Sequence, residues 1–550
     1  MTHGERIARR NRPIVFAAAA LLLITTSACG NAAHDDTGAS EVSATTVSMP
    51  PATKDVDSIK WALTGGEPGS IDPINGYDFS SDTLISNLCE PLLRISADGK
   101  LSPGLASGFK QVDPLTQVYT IRRGVKFWDG TPVTNVDAAY SLARTLDPAA
   151  PSHFLFTAVE SIEPTGTDDV TVKFTHPDEL FYKEMANPFG AVVQKSYAER
   201  VGKDLGTSTG GLMCTGPFKL DKWTPGTSIA LSRNDGYWDP AFRARAARVE
   251  LLFVTDTTAI AQGLLSGELD GAYELAPTLI PRLQSADSGT LVFGPSTQSL
   301  DLLFLNPDGP LRDPALREAL SLAIDRQALA KTIYHGSATP NYTLIPSNTW
   351  DPEGKAVYEA AYPDYEKANA LDIEKAKSLV KASSYKGEPI VLASVAGDAS
   401  MVDIAQFVQQ QAELIGLKVQ VNTMQPLNFS NLFNDKDVRK GLDMTVTTFF
   451  SQAQDPLETL ASVVLPDQTY NYFGYDNPAV ADKLQQAAAT ADPIDRSKLV
   501  VDAQAIYEPD RLHLALLNLN TVVFVNKRLT GATTSMNYLF QPSLALIGGK

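Results

Sequence analysis

Apolar residues along this chain recur at two spacings, and the switching between them predicts a mixed α/β body. Ile59 to Leu63 reads as a strand that ends in the turn Gly65-Gly66-Glu67-Pro68. Val118 to Ile121 and Val170 to Phe174 alternate apolar and polar positions, as half-buried strands do. Asp313-Pro314 opens a helix: Asp suits the cap, Pro suits the first turn, and Leu316, Leu320, Ala323 and Ile324 share one face. A second helix is predicted from about Asp403 to Ile415, ending at Gly416 and feeding the strand Lys418 to Val421. A third is predicted from Asp495 to Tyr507. From Ser58 onward there is no internal repeat and no linker, so the domains must be interleaved by more than one crossing of the chain. That is the organisation of a hinged two-lobe protein.

The pattern breaks at the N-terminus. A basic stretch from Arg6 to Arg12 precedes an apolar run from Ile14 to Ile24, then Thr26-Ser27-Ala28 and Cys29. The run is short for a bilayer span and is followed by small residues, which marks an export signal. The residues before Cys29 resemble a lipobox, with Thr26 where Leu is usual, so Cys29 is the expected lipid attachment site. Ordinary signal-peptide cleavage after Ala28 is the alternative. From Gly30 to Asp57 the chain is rich in Ala, Ser, Thr and Asp and shows no amphipathic period, as expected of a flexible tether.

Length and charge narrow the function. A chain of 550 residues calls for two or three domains, and 43% apolar with 20% charged residues is globular composition. The net charge is −17, and the first 28 residues hold four arginines against one glutamate, so the remainder is more acidic still. Such a body repels phosphate backbones, and no nucleic-acid partner is expected. If Cys29 carries lipid, Cys89 and Cys214 are left as an even pair, either bridged or separately buried.

Several blocks then carry a family resemblance. The first runs from Ser70-Ile71-Asp72-Pro73 through Glu90-Pro91-Leu92-Leu93 and Pro103-Gly104-Leu105-Ala106 to Ile121-Arg122-Arg123-Gly124-Val125-Lys126-Phe127-Trp128-Asp129-Gly130-Thr131-Pro132. Further blocks are Thr215-Gly216-Pro217-Phe218 with Tyr237-Trp238, Ser266-Gly267-Glu268-Leu269-Asp270, and Leu311-Arg312-Asp313-Pro314 through Ala323-Ile324-Asp325-Arg326. In this order they resemble the family-five bacterial extracellular solute-binding proteins, the oligopeptide, dipeptide and nickel binders of ABC importers. The resemblance implies a two-lobe periplasmic-binding-protein-like α/β fold of type II, in the large oligopeptide-binder subclass, with an extra subdomain in lobe one. The implied division is a signal peptide at 1–28, lipidated Cys29 and tether at 29–57, and lobe one at 58–297 with its subdomain at about 101–210. Lobe two follows at 298–518, and residues 519–550 return to lobe one. Phe127, Trp128 and Asp129 are expected to fix scaffold and not ligand. Cys89 and Cys214 directly precede two of the blocks, and in the family fold both blocks lie in lobe one near the cleft, which favours the bridge.

The resemblance also implies a monomer whose partners are a small-molecule or peptide ligand and an ABC permease in the cytoplasmic membrane. It would meet the membrane only through its lipid, on the outer face. Peptide binders of the family hold the ligand's ammonium on the Asp of a Trp-x-x-Asp-x-x-(Asp/Glu)-Pro pattern. Here Asp455-Pro456 sets the register, so Gln452 stands at the anchor position and Phe449 at the Trp. Gln accepts a hydrogen bond but carries no charge. Phe449, Phe450, Gln452, Asp455 and Glu67 are therefore the candidate ligand contacts, with Asp455 also read as a helix cap. A peptide held through its backbone is the first expectation. An oligosaccharide or other metabolite stacked on Phe449 and Phe450, with Trp61 or Trp350 if near the cleft, is the second. No cofactor is expected. The six histidines form no close pair, which gives metal capture little support. The metalloprotease motif His-Glu-x-x-His is missing, and the single Gly-x-Ser-x-Gly match, Gly206 to Gly210, follows no strand pattern, so an enzyme is not expected. A secreted hydrolase with a scattered triad and a regulatory lipoprotein with a degenerate cleft are the alternative classes.

Overall fold

The computed structural model describes residues 44–550 apart from Tyr77, Ala149, Asp467 and Thr469. The expected signal segment, Cys29 and the first part of the tether lie outside those residues.

An 11-stranded mixed sheet runs through the body. In spatial order its strands are Val419–Met424, Ile390–Val395, Met444–Phe450, Gly289–Phe304, His513–Asn526, Gly271–Ala272, Val56–Leu63, Ala246–Phe253, Ser228–Arg233 and Phe218–Thr224, with Ala338–Pro340 paired alongside His513–Asn526. Val56–Leu63, whose inward residues Ile59 and Trp61 are fully buried, pairs in parallel with Ala246–Phe253. The alternating segments predicted near residues 118 and 170 form Thr116–Ile121 and Asp169–Phe174, neighbours in a separate four-stranded antiparallel sheet.

Two strands decide the architecture. Gly289–Phe304 and His513–Asn526 span 16 and 14 residues, far beyond the usual five or six. Their ends sit in different cores. Leu300, Leu302 and Phe304 pack with Leu514, Leu516 and Leu517 in a core that draws on residues from Leu311 to Val446. At the other end Phe293 packs with Val522 and Phe524, while Val523 and Val525 join the large core containing Ile59, Trp61 and Leu251. The same pair of strands therefore ties two separately packed bodies together. Between them the ladder is interrupted: Pro295 pairs with Asn520 and Ser299 with Asn518, so three residues on one strand face one on the other. Such a bulge bends the strand and re-aims its side chains.

The predicted helices form with small shifts at their starts. Pro314–Ala323 is capped by Asp313, whose carboxylate accepts from Ala315 N at 3.0 Å, and Ile324 already lies outside it in extended backbone. The helix read from Asp403 starts earlier, as Ala399–Leu414 capped by Asp398, and that read from Asp495 is Pro493–Tyr507 capped by Asp492. In both cases an Asp just upstream satisfies first-turn N–H groups, which moves the start outward.

The tether is shorter than expected. Thr46 N donates to the Phe293 carbonyl at 2.9 Å, Met49 N to Ala532 at 2.9 Å, and Thr53 N to Gly549 at 3.0 Å. Side-chain composition predicted a loose segment, but these contacts use backbone groups, which any sequence carries. The chain is bound to the body well before Asp57.

Cys89 and Cys214 form a disulfide with Cα atoms 5.0 Å apart, both residues buried. A Cβ at Gly216 would fall 2.4 Å from the Leu88 carbonyl oxygen, so only glycine lets these two blocks close on each other. Trp128 N donates to the Cys214 carbonyl at 3.1 Å, Phe127 is buried, and Asp129 accepts from Thr131 N and Gln194 Nε2. This block is scaffold.

Candidate functional site

The strand Met444–Phe450 runs antiparallel to Gly289–Phe304, with Phe449 opposite Ser299 and Phe450 opposite Gln298, beside the bulge. The chain then turns through Ser451 to Asp455, with Gln454 at a left-handed φ of 52°, and enters the helix Pro456–Val464. Strand, bulge and turn enclose a cavity of about 240 Å³. That is near the lower end of ligand pockets, which run from roughly 300 Å³ upward.

Phe449 meets Tyr470 edge-on at 4.7 Å and lies 5.6 Å from His513; Phe450 leans on Phe79 at 5.4 Å. The polar wall is formed by the two long strands. Thr297, Ser299 and Asp301 come from one and His513 from the other. Asp301 Oδ2 accepts from Ser299 Oγ, and His513 Nε2 lies 3.0 Å from Asp301 Oδ1. Glu458, one turn into the helix, accepts from Ser451 Oγ at 2.5 Å, Gln452 N at 3.1 Å and Ala453 N at 2.8 Å. Burial nonetheless pushes its carboxyl above the ordinary Glu range.

A second space of about 750 Å³ adjoins this wall at Thr448. Thr64, Gly65 and Phe79 face it from the large core's side, and Gly397 to Met401 face it from the other. Glu274 also lines it, in left-handed backbone with φ 50°, and takes a 2.9 Å hydrogen bond from Gln298 Nε2. Although the residue is partly exposed, its Oε1 is enclosed without a partner, and burial pushes the carboxyl up to about 7 against the pull of Gln298 and Tyr538.

The structure brings Phe449, Phe450 and Gln452 together on the cavity wall and leaves two other candidates out. Asp455 caps the helix by accepting from Leu457 N at 2.9 Å. Its other oxygen is 2.6 Å from Lys183 Nζ and 3.4 Å from Arg496. Burial alone would raise its carboxyl, but these two cations outweigh it and hold it below the usual range. Asp455 is the expected helix cap and lines none of the cavities described, so its place among the ligand contacts is corrected. Glu67 is corrected too: it is exposed and accepts from Trp223 Nε1 at 2.7 Å and Gly226 N at 2.8 Å, tying one turn to another. Trp61 is core, whereas Trp350 stacks on Tyr358 and borders a smaller space of about 190 Å³ next to Gln452. Asp301, His513, Glu458, Tyr470 and Glu274 were missed. The nearest sequence signal for the first two was a polar residue set in each of two long apolar runs, Ser299-Leu-Asp-Leu-Leu-Phe and His513-Leu-Ala-Leu-Leu.

Comparison with known proteins places this geometry. Residues 100–471 match the family described as bacterial extracellular solute-binding proteins, family 5, middle region. The glutathione-binding protein GsiB of Shigella flexneri is 28% identical over 475 residues, which is 84% of this chain and 89% of that protein. Among solved structures, the agropinic acid complex of the binding protein AgaA from A. tumefaciens R10 superposes with a TM-score of 0.77 at 22% identity, over 90% of this chain and 98% of that one. DppA of Helicobacter pylori in complex with the peptide STSA gives 0.76 at 20%, over 90% and 98%. These two show the fold, the type II periplasmic-binding-protein arrangement, and the family match covers well over half of the sequence. The chain is a member of the bacterial extracellular solute-binding proteins, family 5.

Proposed function

We propose that this protein is the extracytoplasmic capture component of an ATP-driven importer, holding a short peptide or a solute of similar size between two lobes and handing it to a permease. The observation that supports this most directly is the cavity of about 240 Å³ set against the wider of two ladder interruptions between the two long strands. A ligand bound there touches the bulge about which the lobes would rotate, so binding biases an open–closed equilibrium. The lobes divide at about 297/298 and 518/519. Cys29 carries the lipid that keeps a monomeric binder beside its permease on the outer face of the cytoplasmic membrane, and the protein turns over no substrate. GsiB, by its name a glutathione binder, supports a short ligand.

Native mass spectrometry of the exported chain as purified tests this reading. Adducts spaced by amino-acid residue masses are the expected outcome. A single non-peptide mass shifts the ligand class, and a protein that carries and takes up no solute overturns the reading.

A further inference from the structure

The cavity wall is unbalanced in charge. None of the residues lining it is Lys or Arg, yet Asp301 is only 1% exposed there. Ser299 Oγ satisfies Asp301 Oδ2, but Oδ1 makes no hydrogen bond. His513, itself 4% exposed, approaches Oδ1 at 3.0 Å out of line, and neither of its ring nitrogens is hydrogen-bonded. Gln452 Oε1 is a further buried acceptor without a donor. The other carboxylate on the wall, Glu458, already accepts from a hydroxyl and two backbone N–H groups. Burying an ionised carboxylate with unfilled acceptor capacity is costly unless a cation or several donors meet it.

We propose, resting on the solute-capture reading, that Asp301 is the charge anchor of this cavity. The ligand it selects is a small solute bearing an ammonium or guanidinium group, with an apolar or aromatic body against Phe449, Phe450 and Tyr470. The cationic nitrogen donates to Asp301 Oδ1 and Gln452 Oε1. The aromatic walls add attraction for the cation and cover for the body. The site thus takes its charge from the crossing strand and not from the turn, where Gln452 is neutral. Solutes whose only charge is a carboxylate are rejected, because they meet the buried Asp301 and no lysine or arginine on the wall.

Titration calorimetry on the full mature chain with matched probes tests this. Phenylalaninamide presents the cation, and N-acetylphenylalanine the same body with a carboxylate instead. Phenylalaninamide is expected to bind at least about tenfold more tightly, the scale of one charge-assisted hydrogen bond. Asp301→Asn is expected to remove that preference while the variant keeps its disulfide and cooperative unfolding. Equal or tighter binding of N-acetylphenylalanine overturns the assignment, and so does an unchanged preference in the variant. If Asp301→Asn does not fold, the wild-type preference between the two probes decides alone. Failure of phenylalaninamide to bind overturns the proposal in every case. It takes the transport reading with it only if native mass spectra also show a protein that carries no solute.

Discussion

Two buried aspartates, Asp455 and Asp301, stand in opposite surroundings. Asp455 is met by Lys183 and Arg496, with Asp351 completing the cluster at 3.0 Å from Arg496, and it caps a helix besides. Both of its oxygens accept a hydrogen bond. Asp301 borders a cavity, with one misaligned histidine and one hydroxyl for company. The difference teaches that a carboxylate's charge says little by itself. Matched, it ties a helix start to distant segments; without a lysine or arginine beside it, it lends its charge to a cavity wall.

The contrast can be broken by experiment. The largest effect is expected from Asp455→Ala, which strands the buried Lys183 and Arg496 and removes the cap. Denaturant unfolding should show a loss of about 3–5 kcal/mol. Asp301→Asn should change stability by less than about 1 kcal/mol, because it leaves no strong ion pair behind. Equal losses from the two would abolish the distinction. Next comes the disulfide. Replacing Cys89 and Cys214 with Ser opens a loop of 125 residues and should cost about 2–4 kcal/mol in the same assay, with no change in the preference for cationic probes.

A pH series follows in magnitude. Glu274 has its folded pKa raised to about 7, so the folded state holds a proton that the unfolded state releases near 4.5. Its protonated form favours the fold below pH 4.5, and that contribution is lost as pH rises through 7. Thermal midpoints should fall between pH 5 and pH 8, by the equivalent of at most about 3 kcal/mol. Glu274→Gln should flatten the fall; an unchanged slope would put its cause elsewhere. The smallest effect is expected from Gln452→Asp, which restores a charge at the turn beside the cavity. Affinity for phenylalaninamide should rise up to about tenfold, offset in part by repulsion from nearby Glu458. A loss of affinity would mean that the Gln452 side chain already makes the contact the ligand needs.

Much of the scaffold was readable from residue pattern. Alternation located Thr116–Ile121 and Asp169–Phe174, and Asp313-Pro314 located a helix start because capping is local chemistry. The register through Asp455-Pro456 led to Phe449, Phe450 and Gln452, all three on the cavity wall. What stayed hidden depended on distant segments. Asp455 looked available because its partner Lys183 is 272 residues away. Asp301 and His513 sit in apolar runs 212 residues apart, brought together only by the ladder between two strands. Glu274 owes its position to a left-handed backbone that no side-chain pattern announces. Residues 46–54 looked loose because their partners are carbonyls of Phe293, Ala532 and Gly549.

The interrupted ladder between the long strands has a mechanical meaning. Three residues, Ser296 to Gln298, face Leu519 alone, and Leu519 pairs on its far side with Ala338. Pro295 has no N–H to lose. Between these two strands there is thus no rung here for a rotation to break; the rungs nearby run outward, from Gln298 to Phe450 and from Leu519 to Ala338. A door hung this way opens and shuts without loosening its frame, so the work of gripping a solute goes into the grip.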